Sequence, residues 1–75
     1  MRPQISFKVE NESVQSARVL VDGLDMGSVG DFLEGVAAVR VLPGMHKLAV
    51  TAGSAVLLEE KFYLGDGVSR SFIVK

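Results

Sequence analysis

His46 is the single histidine of the chain, and any acid–base chemistry near neutral pH would have to start there. A Ser-His-Asp relay or a two-histidine metal site needs further groups held on the imidazole in fixed geometry. One histidine beside a turn brings no such set. Four acids, Asp22, Asp25, Asp31 and Glu34, crowd a glycine-rich stretch. Hard cations such as calcium take several oxygen ligands from a flexible loop. The order Asp22-Gly23-Leu24-Asp25, however, is not the alternating D-x-D-x-D-G of an EF-hand, and a turn accounts for Asp22 and a helix cap for Asp31. Glu59 and Glu60 are adjacent carboxylates, yet neighbours on a strand point to opposite faces and cannot flank one substrate bond. Gly23, Gly27 and Gly30 lack both the Gly-Lys-Ser/Thr and the βαβ setting of a phosphate loop. The chain has no cysteine, which removes thiolate nucleophiles and Cys-based zinc sites. No catalytic, metal or cofactor site is expected, and the chain is not expected to be an enzyme.

The elements that position these residues read as short strands. Ile5, Phe7 and Val9 alternate with Ser6, Lys8 and Glu10, a period of two that predicts a strand over residues 4–10. Residues 11–16 read as a loop. Val19 and Val21 face one way in a second strand, which ends at Asp22-Gly23, a pair suited to a type I′ turn. A short return limb follows over residues 24–27. Ser28 and Asp31 match a helix-start pattern, and Val29, Phe32, Leu33 and Val36 have helical spacing. Gly30 and Gly35 leave room for at most one short helical turn around residues 28–34, placing Phe32 and Leu33 on the core.

Ala37, Val39 and Val41 alternate into Pro43-Gly44, which reads as a type II turn of a hairpin with Leu48 and Val50. Gly53-Ser54 reads as a second tight turn, leading into the longest strand over 55–64. There Val56, Leu58, Phe62 and Leu64 share a side. Glu60 breaks that alternation, which calls for a sheet rim or a bulge near Glu59-Glu60. Gly65-Asp66-Gly67 reads as a third hairpin loop before residues 68–74, with Val68, Phe72 and Val74 inward and Arg70 at an edge. Turns recurring about every ten residues predict an all-β fold, a small antiparallel β-sandwich of six to seven short strands. Residues 1–75 are expected to form this one domain, of a size that larger proteins carry as a module.

Composition narrows the partners. Eight basic and nine acidic residues give a net charge of −1, with no basic run to neutralise phosphates, so nucleic acid is not expected. Apolar runs such as Ala55-Val56-Leu57-Leu58 are far too short to span a bilayer. The start Met1-Arg2-Pro3-Gln4 lacks the apolar region of a signal peptide. Leu20, Leu42 and Leu57 alternate out of phase with the core. On one outer face they would form an apolar patch of the kind that marks an interface. Tyr63 joins them as an outward aromatic in phase with Leu57. The expected partner is a protein or a second copy; a glycan stacking on Tyr63 is the alternative.

Val19-Leu20-Val21-Asp22-Gly23, then Gly27, then Leu42-Pro43-Gly44-Met45-His46 followed by Leu48-Ala49-Val50 resembles the PEGA domain, over roughly residues 17–74. Ser28-Val29 stands where that family commonly has Thr-Pro, and the PEGA tetrapeptide itself is absent. The likeness is thus to a PEGA-like, immunoglobulin-like sandwich. It implies a non-catalytic bacterial module, used for binding or as a spacer in envelope or signalling proteins. It also implies structural roles for Asp22-Gly23 and Pro43-Gly44 as turns and for His46 at the start of a strand.

Overall fold

A computed structural model describes residues 2–74. Seven strands form two sheets: β1 (Gln4–Val9), β2 (Arg18–Val21), β3 (Leu24–Ser28), β4 (Val39–Arg40), β5 (Gly44–Ala52), β6 (Ala55–Leu64) and β7 (Ser69–Val74). One sheet has the order β4-β1-β7 and the other β3-β2-β5-β6. The alternation read from the sequence becomes the core. Ile5, Phe7, Val19, Val21, Leu48, Val50, Phe62, Leu64, Phe72 and Val74 are all buried. They come from both sheets, so the fold is the expected small all-β sandwich. Phe62 of the four-stranded sheet stacks on Phe72 of the three-stranded sheet at 5.1 Å between centroids, and Phe7 lies 6.3 Å from Phe72. The rings thus tie the two layers together.

The turn chemistry holds at two places. Asp22 (φ 54°) and Gly23 (φ 83°) both take positive φ, as a type I′ hairpin between β2 and β3 demands. Gly53-Ser54 closes the β5–β6 hairpin. Asp31 accepts from both the Ser28 hydroxyl (3.0 Å) and the Ser28 N–H, starting a 3-10 turn over Val29–Phe32. Val29 is fully buried, with Phe32 and Leu33 packed on the core.

Several expectations are corrected. Residues 12–16 form a second 3-10 turn, Glu12–Ser16, started by the Asn11 side chain accepting from the Ser13 N–H. The apolar Val14 gives that turn a reason to sit on the core. Pro43-Gly44 does not close a hairpin. β4 pairs with β1 instead of β5, the Val41 N–H donates to the Pro3 carbonyl, and Gly44 at φ 132° runs straight on into the other sheet. Gly65-Asp66-Gly67 likewise carries the chain between sheets, since β7 pairs with β1. That β1–β7 pairing is parallel across six residue pairs, from Gln4 with Ser69 to Val9 with Val74; the other strand-to-strand pairings are antiparallel, and a single parallel bridge joins Phe7 to Leu33. The β6 bulge falls at Leu57 and not at Glu59-Glu60: Val50 faces Leu58 while Thr51 faces Val56. Glu60 stays in phase with Phe62 and is exposed because β6 is an outer strand. Periodicity specifies which face a strand buries, but not which sheet it joins.

Candidate interaction surface

Asp22 and His46 are brought together by the pairing of β2 with β5. The Asp22 carboxylate accepts from His46 Nδ1 at 2.5 Å and from the Lys47 N–H at 2.9 Å. His46 Nε2 donates to the Leu42 carbonyl at 2.5 Å. Both ring neighbours are acceptors, so the ring satisfies both only when both nitrogens carry protons. The Leu42 carbonyl and the Asp22 carboxylate hold the His46 pKa above its ordinary value. The Lys47 N–H and His46 hold that of Asp22 below its own. With both nitrogens engaged, the imidazole has no free site for a substrate proton or a metal. The arrangement is a clasp between the β2–β3 turn and the segment entering β5.

The other acids have separate partners. Asp25 takes the Arg18 guanidinium in a fork at 2.9 and 3.1 Å and accepts from the Gly27 N–H. Arg18 draws its pKa down. Asp31 is held by Ser28, and Glu34 lies 3.2 Å from Lys8. Among the described residues no three metal-ligating groups converge.

The predicted interface residues do not form one continuous patch. Leu20 is half-buried on the outer face of the four-stranded sheet, opposite Ala49 and Asp25. Leu42 is 62% exposed in the link before Pro43. Leu57 is turned by the bulge and packs against the core, so it leaves the outer face. Tyr63 is 66% exposed and stands across from Met45, itself 56% exposed. Between the Met45–Tyr63 row and the Leu20–Ala49 row lie Lys47 and Lys61, which divide the face. The apolar patch expected from the leucines is reduced to the Met45–Tyr63 pair.

The strand edges differ more sharply. An edge exposes unpaired N–H and C=O groups, and proteins protect such rows with charges, bulges or short length. β4 has two residues. β3 is bulged against β2 and carries Asp25 and Gly27. β6 is bulged at Leu57 and carries Glu59, Glu60 and Lys61 in succession. β7, Ser69-Arg70-Ser71-Phe72-Ile73-Val74, has no acid, proline, glycine or register shift. Its backbone phase is visible from its neighbour: the Gln4 and Glu10 N–H groups donate to the Val68 and Val74 carbonyls. Even-numbered residues therefore bond to β1. Ser69, Ser71 and Ile73 turn their N–H and C=O groups to the side where the sheet ends.

Arg70 lies 5.2 and 5.1 Å from the Phe62 and Phe72 centroids and covers the open side of the ring stack. On the outer face of this sheet, Gln4, Ser6, Arg40, Ser69 and Ser71 line a shallow concavity of about 540 Å³ beside the 34–38 loop. No signal in the alternating pattern alone marks β7 as the bare edge, because edge status depends on the crossovers that sequence reading took for hairpins.

No family model, no curated protein and no solved structure matches the chain.

Proposed function

We propose that this chain is a non-catalytic interaction module that offers the β7 edge to an extended segment of a protein partner. The observation that carries the reading is the contrast among edges: β3 and β6 are bulged and β4 has two residues, whereas β7 runs six residues without a bulge, its one charge, Arg70, drawn over the Phe62 and Phe72 rings. An extended segment added there gains main-chain hydrogen bonds, with alternate side chains supplying selectivity. The PEGA-like pattern fits this reading as scaffold, since its V-D-G and P-G-x-H segments are the two sides of the Asp22–His46 clasp.

Amide hydrogen exchange and a two-dimensional amide spectrum of labelled protein test it. In dilute protein the Ser71 and Ile73 amides exchange fast, while Arg70, Phe72 and Val74 are protected. Complex formation moves signals along residues 69–74. Shifts confined to Tyr63 and Met45 on adding cell-wall glycan fragments, with β7 unmoved, would replace this reading by glycan binding.

A further inference from the structure

We infer that the segment taken by the β7 edge is β7 of a second copy, paired antiparallel about a two-fold axis at Ser71. The inference rests on the reading of β7 as the interacting edge and adds the partner and the register.

The strand is complementary to itself. A two-fold axis at Ser71 sets Ser71 against Ser71 and Ser69 against Ile73 of the second copy, twice over. These are the residues whose bonding groups face outward, so each pair exchanges both backbone bonds, about six in all. On the inner face the same register sets Arg70 against Phe72 of the second copy. A guanidinium beside an aromatic ring is a favourable neighbour, and Arg70 already lies over two rings in its own copy.

Competing registers are worse. An axis at Arg70 puts two like charges directly opposite each other, which is destabilising. An axis at Phe72 leaves Ser69 with no partner within Ser69–Val74, so that only the two Ser71–Ile73 pairs form there. Odd-with-even registers match outward bonding groups to inward ones. On the outer face the Ser6–Ser71 hydroxyl pair, 3.0 Å apart, meets its own copy, so no charge opposes another in the central row. The product is an isologous dimer in which two three-stranded sheets run on as one.

The chain has no native cysteine, so single-cysteine variants read the register. Opposed residues in a hydrogen-bonded pair stand about 5.5 Å apart at Cα, within disulfide reach. Under mild oxidation Ser71→Cys links into a covalent dimer, whereas Ser69→Cys, displaced from its own copy along the strand, links at least about tenfold more slowly. In sedimentation experiments the wild type shows a concentration-dependent dimer. Ser71→Pro removes an outward N–H that the monomer does not use, a position where a strand accepts proline; it raises the dissociation constant by about tenfold or more.

Equal linking of both cysteine variants would overturn the register. A monomer at every concentration, with Ser71 and Ile73 amides exchanging fast, would overturn the second copy as partner and leave the edge reading standing. A monomer with those amides already protected would overturn both.

Discussion

The Asp22–His46 clasp makes stability depend on pH in both directions. His46 has a raised pKa in the fold. Its contribution is therefore complete below the ordinary value of 6.5 and is lost as pH rises through the folded value. Asp22 is lowered from 3.8, so its contribution is complete above 3.8 and is lost as pH falls through its folded value. Stability against urea is expected to peak between the two and to fall on the alkaline side as His46 deprotonates. Asp22→Asn tests this, because asparagine also accepts positive φ and keeps an oxygen for the Lys47 N–H. The His46 titration, followed by imidazole NMR, should move back toward 6.5. Stability should drop by about 1 kcal/mol, since the Asp22 side chain is half-exposed and water screens the pair from that side. An unchanged His46 titration in Asp22→Asn would remove the clasp as the cause.

At the scale of elements, Gly27 shows how one residue shapes a strand. The register slips between Val19 and Leu20, leaving Met26 as the extra residue of a bulge, and Gly27 sits there at φ 131°. A Cβ at this position would meet the Phe32 ring at 3.2 Å. Gly27→Ala combines backbone strain with that close approach and is expected to cost about 2 kcal/mol, read as a lower urea midpoint at unchanged slope. Arg70 acts at the same scale, as a lid on the Phe62–Phe72 stack. Arg70→Ala should destabilise by about 1 kcal/mol through lost ring contact. A neutral result would place the guanidinium in solvent.

Over the whole molecule the aromatic cluster decides whether the sandwich forms. At 75 residues a fold has about 4–11 kcal/mol of stability in total. Phe72 touches rings from both sheets, and Phe72→Ala should cost about 3–5 kcal/mol, enough to broaden or abolish thermal unfolding seen by circular dichroism. The inward residues at Ile5, Phe7, Val19, Leu48 and Phe72 were legible because alternation reports burial directly. The Asp22-Gly23 and Gly53-Ser54 turns were legible because their chemistry is local. Pro43-Gly44 and Gly65-Asp66-Gly67 were misread because a turn signal reports a change of direction, not whether the next strand pairs with the last. Leu57 was misplaced because a bulge shifts the phase of a strand without changing its composition. The bare edge at β7 and the meeting of Asp22 with His46 both depend on pairings between distant segments, which no local pattern carries.

The parallel pairing of β1 with β7 has a mechanical consequence. If the chain is drawn out by its two ends, the pull reaches the beginning of β1 and the far end of β7. Because the two strands point the same way, the load runs along both of them in opposite senses. The bonds between Gln4–Val9 and Ser69–Val74 are then sheared together, instead of parting one after another as in a hairpin pulled from its mouth. In a spacer under tension, this seam would bear the load before either layer of the core came apart.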